Sequence, residues 1–293
     1  MRPAHSGIVL SLSGAFLGAV HLVTYKAAGG ADEPAALVLA TLLLAAALNT
    51  VALGPKVTVL ARARAIEWGV AAVLAVFTVV ANLAILASLE GLNPAITSVL
   101  VRTQVLFVAA LAWLVLGERL SLRFVAGAVL ATAGFVFMRT GEGSGALTAS
   151  SLWALVAAAA FALMQIVARR TITRIRPGRV NPIRLWVAVA GVALVPGAIS
   201  GLFELGLRRW LLAGLAALAG PYLARLALLH ALRFLSASHS TLLTLAAPLF
   251  AAALAFVVFG DVPTGRELAG ASVLLAGVAL PLGEMRREGF DSG

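Results

Sequence analysis

A helical hairpin at residues 92–136 constrains this chain most, because the same pattern recurs 143 residues later without a gap. Each copy is long enough to cross a bilayer twice. The clearest matched glycines are Gly117 and Gly260, Gly127 and Gly270, and Gly134 and Gly277, and the last two pairs are interpreted as packing glycines. The chain is therefore interpreted as a duplication. A Gly/Ser-rich segment at 141–145 predicts the boundary between two halves, residues 1–145 and residues 146–293.

The composition sets the class of fold. Hydrophobic residues make up 61% of the 293 residues and charged residues only 12%, whereas a soluble domain carries about 25% charged residues. Apolar runs of roughly 20 residues match the thickness of a bilayer core. We predict an all-α integral membrane protein with ten transmembrane helices. The predicted spans lie near 7–27, 34–53, 66–88, 94–116, 121–139, 150–169, 183–204, 210–231, 237–259 and 265–283.

The distribution of charge predicts orientation. The first apolar run holds His21 and Lys26, so we interpret it as a retained span and not as a signal peptide. Lys and Arg residues of the predicted connections concentrate on one side of the membrane, among them Arg64, Arg176 and Arg184. The positive-inside rule then places both termini in the cytoplasm of a multi-pass plasma-membrane protein. The same bias explains the net charge of +10 without any nucleic acid.

Five spans per copy is an odd number, so the second copy must enter the membrane from the opposite side. This predicts two inverted-topology five-helix repeats. Such repeats place a substrate site near the bilayer midplane, between the halves, and open it to the two faces in turn.

The second hairpin carries a family resemblance. Its sequence runs from His230 through the polar start of the ninth span to Gly260-Asp261, and it resembles the hallmark of EamA-type proteins in the drug/metabolite transporter superfamily. The first copy is similar and has Gly117-Glu118-Arg119-Leu120 as its turn. The resemblance implies a ten-span transporter of small metabolites, often an exporter of amino acids or related compounds. The usual proline of the fourth span is Val105 here while the ninth keeps Pro248, so a symmetric pair of proline-kinked gates is not expected.

Arg102 is the most specific candidate for a substrate-binding residue. If the fourth span starts at Pro94, Arg102 lies about 12 Å into it at 1.5 Å per residue, and a charge at that depth is by default a functional hypothesis. It would anchor a carboxylate or a phosphate. The alternative is a structural tie to backbone carbonyls or to Glu90. Gln104 lies on a neighbouring helix face with Thr97.

Further candidates come from the repeat and from local polarity. Arg225 in the eighth span matches Asn82 in the third at the same offset, which suggests a shared lining; alternatively, Arg225 snorkels to the surface and Asn82 makes ordinary interhelical bonds. His21 matches Gln165 and could relay protons, or it is a packed histidine. Thr241 belongs to a polar stretch that could line a cavity, or could bond back to helix carbonyls.

Absences narrow the function. No acidic residue lies clearly at mid-membrane, which argues against a cation exchanger and favours an anionic, zwitterionic or neutral substrate. No phosphate-binding G-x-x-x-x-G-K-[ST] motif occurs, cysteine is absent, and we expect no cofactor, metal site or catalytic residue. We predict a secondary transporter, not an enzyme, for amino acids or related organic acids. It would export its substrate across the lipid bilayer by alternating access. Proton coupling is a hypothesis, and whether the protein is a homodimer is left open. The alternatives are a membrane-embedded enzyme or scaffold, and a lipid-linked sugar flippase.

Overall fold

The computed structural model describes residues 3–28, 34–53, 63–89, 100–118, 120–139, 149–260 and 265–280. This described part consists of helices joined by short turns. Its helices, with two π-helical segments, are α1 (Pro3–Ala27), α2 (Pro34–Leu53), α3 (Ala65–Leu89), α4 (Gln104–Leu111), π1 (Ala112–Leu116), α5 (Leu122–Arg139), α6 (Ala149–Thr171), α7 (Pro177–Ala193), α8 (Ala198–Glu204), α9 (Leu207–Ala217), π2 (Leu218–Ala224), α10 (Arg225–Ala231), α11 (Ala237–Thr244), α12 (Ala247–Phe259) and α13 (Gly265–Ala279).

Several of these helices are long and apolar enough to cross a membrane. In the described part they number six, and a seventh is added if α7 and α8, which meet at a bend of 95°, form one span. Shorter apolar helices lie at Leu100–Leu116, Leu122–Gly134 and Leu268–Ala279, where the sequence predicts the fourth, fifth and tenth spans. A multi-pass helical membrane protein is therefore confirmed, whereas the count of ten spans is not.

Small residues let the helices approach closely at the centre of the molecule. α3 packs against α6 and α7, and α2 packs against α7 and α9. Fully buried alanines such as Ala71, Ala75 and Ala157 lie on these helices. Because lipid is as apolar as leucine, close van der Waals packing of this kind, not a hydrophobic effect, holds transmembrane helices together.

The two copies of the hairpin turn have the same backbone geometry. Gly117 has φ 68° and its match Gly260 has φ 72°, a left-handed conformation that glycine adopts without the steric cost of a Cβ. Each glycine ends its helix as a left-handed C-cap, a common way to terminate a helix. The duplicated sequence therefore folds locally in the same way in both copies.

The matched glycines of the fifth and last helices form the contact between α5 and α13. A Cβ on Gly134 would lie 2.7 Å from the carbonyl oxygen of Gly270 and 2.5 Å from the nitrogen of Leu274. A Cβ on Gly277 would lie 2.6 Å from the carbonyl oxygen of Gly127. Gly134, the later glycine of α5, thus meets Gly270, the earlier glycine of α13, and Gly277 likewise meets Gly127. This is the pattern of an antiparallel crossing with approximate twofold symmetry. The prediction that these glycines serve packing is confirmed.

One predicted boundary was wrong. The predicted spans leave a connection at residues 170–182, with Asn181 and Pro182 as loop residues, and a seventh span that starts at 183. In the structure α7 begins at Pro177, and Pro177, Val180, Asn181 and Pro182 are buried within it. Pro177 stands in the first turn, where a missing N–H costs little, and Pro182 removes a single internal hydrogen bond near the start of the helix. Arg184, predicted to lie in a cytoplasmic connection, is only 3% exposed.

The α5–α13 crossing predicts the effect of a single methyl group. Gly134→Ala should destabilise the protein by about 1–3 kcal/mol, as expected for overpacking, because the atoms in the way belong to the backbone and cannot rotate aside. Thermal unfolding in detergent would measure this. The matched control is Gly69→Ala on α3, where a Cβ meets nothing within 4 Å and the helix should gain about 0.5–1 kcal/mol. Equal melting temperatures for Gly134→Ala and wild type would contradict the close crossing.

Candidate functional site

A buried polar cluster surrounds Arg184 on α7. Its Nη1 donates to Thr78 Oγ1 at 2.9 Å, and its Nε and Nη2 donate to Asn181 Oδ1 at 3.2 and 2.9 Å. Nη2 also lies 3.5 Å from the carbonyl oxygen of Pro221. Every nitrogen of this guanidinium therefore has an acceptor, which is what a charge buried in an apolar medium requires.

Asn181 connects this cluster to α2. Its Nδ2 donates to Asn49 Oδ1 at 3.1 Å and to the Pro221 carbonyl at 3.2 Å. The Nδ2 of Asn49 in turn donates to the Ala45 carbonyl at 2.8 Å. The cluster thus joins α2, α3, α7 and π2 through side chains whose polar groups are paired, and it spans both predicted halves of the chain.

The carbonyl of Pro221 is available because the helix around it is π-helical. At the end of π2 the N–H of Arg225 bonds the carbonyls of Gly220 and Tyr222, whereas in an α-helix it would bond Pro221, four residues earlier. The carbonyl of Pro221 is then open to donors from another helix. π-helical turns are rare and often lie at functional sites.

Arg225 follows π2 directly and is the second cation of the cluster. It lies one helical turn after Pro221, whose carbonyl oxygen is 3.5 Å from Arg184 Nη2. Its Nε and Nη2 are buried and have no hydrogen-bond partner among the residues that the structure describes. Among the residues the structure describes, no carboxylate contacts either arginine. Nε and Nη2 of Arg225 are buried, whereas the residue as a whole is partly accessible, so the alternative in which Arg225 snorkels to the surface stays open.

One other predicted residue, Asn82, lies next to this cluster, and Gln165 follows a residue that contacts it. Asn82, one turn beyond Thr78 on α3, donates from Nδ2 to the Thr78 carbonyl at 2.7 Å. Gln165 on α6 is buried, and its neighbour Met164 places its sulfur 3.5 Å from Thr78 Oγ1. The 143-residue offset between the repeats pairs Asn82 with Arg225, and the helices that carry these two residues meet at one cluster. A role of Asn82, Gln165 or Arg225 in binding substrate stays a prediction.

His21 contacts the other side of π2. Its Nδ1 lies 2.9 Å from the carbonyl oxygen of Ala216; since a carbonyl only accepts, Nδ1 carries the proton. Pro221 has no N–H, so it cannot make the π-type hydrogen bond to this carbonyl, five residues earlier. The imidazole also fills the space next to Gly220, where a Cβ would lie 2.6 Å from the ring. These contacts agree with the packed-histidine alternative and leave proton relay a prediction.

The remaining candidates are not brought to the Arg184 cluster by any contact described. Arg102 and Gln104 are half-buried and flank a turn at Thr103, while the predicted start of their span at Pro94, with Glu90, lies outside the described residues. Thr241 is buried on α11, and its hydroxyl has no partner in the described part of the chain. Its neighbour Ser240 lies 3.2 Å from Ser11 on α1, measured between hydroxyl oxygens.

Two carboxylates of the first predicted half bind backbone N–H groups of the second. Glu67 is completely buried and accepts from the backbone N–H of Arg176 at 3.0 Å, just before α7, and from Arg179 Nη1 at 3.4 Å. Glu118 accepts from the backbone N–H of Ala237 at 2.9 Å and from Ser238 Oγ at 2.8 Å, in the first turn of α11. Both are charge-assisted bonds at helix N-termini, where negative charge is stabilised. We call Glu67 and Glu118 the cross-half carboxylates.

Sequence reasoning missed Arg184, Asn181 and Pro221. Asn-Pro and Pro-Gly pairs are typical of turns, so Asn181-Pro182 and Pro177-Gly178 predict a loop. Arg184, which follows directly, is then assigned to the same connection. A usable signal was Pro221 in the middle of the eighth apolar run. A proline there frees backbone carbonyls that must find other donors.

Comparison with known proteins gives the family. The sequence matches the model of the EamA-like transporter family twice, over residues 5–140 and over residues 148–282. A solved crystal structure superposes with a TM-score of 0.77 over 97% of this chain and 98% of its own, at 21% sequence identity, which shows a shared fold. No curated protein matches the sequence significantly.

The family match covers most of the chain and follows the duplication. The protein therefore belongs to the EamA-like transporter family and is a multi-pass membrane transporter.

The cluster predicts that an arginine, and not merely a cation, is needed at position 184. Arg184→Lys keeps the charge but cannot reach Thr78 and Asn181 together. It should lower the free energy of unfolding by about 1–3 kcal/mol, because buried polar groups lose their partners. Arg170→Lys, at an exposed position near the end of α6, is the matched control and should melt like wild type. An unchanged melting temperature for Arg184→Lys would contradict the cluster as described.

Proposed function

We propose that this protein is a secondary transporter that exports small metabolites, most simply amino acids or related organic acids, by alternating access between two inverted halves. The observation that carries the proposal is the antiparallel crossing of α5 and α13 through matched glycines. Corresponding helices of two copies can run antiparallel only if the copies have opposite directions. Inverted repeats are the architecture in which two related arrangements open to opposite faces of the membrane.

The cross-half carboxylates support a closed state of one face. Glu67 lies at the start of the third predicted span, next to its connection with the second, and Glu118 lies between the fourth and fifth, so both belong to the side assigned to the cytoplasm. Their partners lie in the second half. When the halves rock apart at this face, these hydrogen bonds must break. We propose that they hold the cytoplasmic side closed while the site faces outward.

The charge of the cluster supports an anionic or zwitterionic substrate. Two arginines lie close together, and none of the described carboxylates neutralises them. A transporter of cations would be expected to carry the opposite charge at this depth.

The transport prediction is direct. In liposomes, wild type should exchange at least one radiolabelled amino acid or organic acid, because alternating access lets substrate cross from either side. If protons are coupled through Nε2 of His21, an imposed pH gradient should drive accumulation, and His21→Gln should abolish that response while exchange continues. Liposomes that carry the protein and take up none of the panel faster than protein-free liposomes would contradict the proposed function. A transport rate that does not change with the imposed pH gradient would contradict proton coupling.

The closed face gives a second prediction. The chain has no cysteine, so Thr241→Cys adds a single thiol about one turn inside the helix that Glu118 caps. Adding Glu118→Gln removes a charge-assisted bond between the halves, and labelling of Cys by an impermeant maleimide from that side should accelerate. A loss of one or two kcal/mol corresponds to roughly 5–30-fold.

The control changes an acid to an amide elsewhere. Glu204→Gln, at an exposed position at the end of α8, should leave the labelling rate of the Thr241→Cys protein unchanged. Equal rates with and without Glu118→Gln would show that the carboxylate does not hold this face closed.

A further inference from the structure

The two arginines of the cluster differ in how their hydrogen-bonding edges are used. On one edge of a guanidinium, Nε–H and Nη2–H point the same way and can bind two oxygens side by side. In Arg184 both nitrogens of this edge donate to Asn181 Oδ1. In Arg225 the same two nitrogens are buried and have no partner in the described part of the chain. The described structure thus holds one satisfied edge and, next to it, one unsatisfied edge.

An unsatisfied edge of this kind is costly. A buried donor without an acceptor loses its hydration and gains nothing in return, and a buried charge without a counter-charge costs several times more. The positive charge of Arg184, which approaches the Pro221 carbonyl one helical turn before Arg225, repels the like charge of Arg225. Asn181, Thr78 and Pro221 hold Arg184 in place, so Arg184 cannot turn away to relieve the repulsion.

An anion at the edge of Arg225 would remove each of these costs together. Two parallel N–H groups match the two oxygens of a carboxylate or of a phosphate, and such bidentate bonds are short and strong. The neighbouring charge of Arg184 would then attract the ligand and no longer merely repel Arg225. The Arg225 residue as a whole is partly accessible, while its Nε and Nη2 atoms are buried.

We propose that the Nε and Nη2 edge of Arg225 binds the anionic group, a carboxylate or a phosphate, of the transported substrate, beside an Arg184 that is fixed by the protein itself. This inference rests on the proposed function and makes it more specific. It places the anionic end of the substrate where π2 passes into α10.

The first readout needs no ligand. A structural arginine stabilises the empty protein, whereas a binding arginine with unsatisfied donors destabilises it. Arg225→Gln should therefore raise the melting temperature of ligand-free protein in detergent by roughly 2–4 °C. Arg184→Lys should lower it, and Arg208→Gln, at an exposed position at the start of α9, should leave it unchanged as the control for lost charge.

The second readout uses matched pairs of ligands on the full-length protein. The panel holds amino acids and organic acids, each with its uncharged amide, together with inorganic phosphate and sugar phosphates. At least one carboxylate or phosphate should stabilise wild type and Arg208→Gln, and the corresponding amide should not. Arg225→Gln should lose at least tenfold in affinity for that ligand, and Arg225→Lys should retain part of the binding. Carboxylates and phosphates are separated by which arm of the panel responds.

Several results would overturn the inference. They are a lower melting temperature for ligand-free Arg225→Gln, unchanged affinity in that variant, and a wild type that no anion in the panel stabilises. Transport separates these failures from failure of the proposed function. If wild type and Arg225→Gln exchange a substrate with the same KM, the protein is a transporter whose site lies elsewhere. If an anion binds through Arg225 but no compound crosses the liposome membrane, the binding site stands and the proposed transport fails.

Discussion

The missing N–H of Pro221 is the constraint on which the polar centre of this protein depends. Inside a bilayer every backbone carbonyl needs a donor from the protein itself, and a proline in mid-span removes one donor. The region around Pro221 is π-helical, and side chains of other helices bond carbonyls in it and just before it: Asn181 bonds Pro221, and His21 bonds Ala216 at the end of α9. α1 and α7 are thereby attached to the segment that precedes Arg225. One local defect in a helix thus organises contacts between both halves of the transporter.

The duplication sets the frame around this centre. Two hairpins with the same left-handed glycine and two helices crossing through matched glycines show that both copies use one local design. The centre departs from this symmetry, because Asn82 occupies in the first copy the position that Arg225 occupies in the second. A duplicated chain allows this difference between the copies, because the residues that pack the helices stay alike while the residues at the polar centre diverge.

The helical membrane class, the duplicated hairpins and the packing glycines could be predicted from the sequence, because apolar length and glycine spacing are local signals. The Arg184 cluster could not. Asn181-Pro182 is typical of a turn, and only the buried acceptors on other helices, together with Glu67 at the start of α7, show why this segment is helical instead. Similarly, the position of Arg225 in the sequence does not show that Nε and Nη2 of its guanidinium are buried, which only its neighbours in space determine.

The central claim is that Arg225 presents an unsatisfied guanidinium edge to the anionic group of a substrate. An experimental structure of the protein with a transported carboxylate or phosphate tests it most directly. The account predicts two ligand oxygens at about 2.7–2.9 Å from Nε and Nη2 of Arg225, with Arg184 still bonded to Asn181. A ligand bound away from Arg225, or an Arg225 edge occupied by a carboxylate of the protein itself, would contradict it.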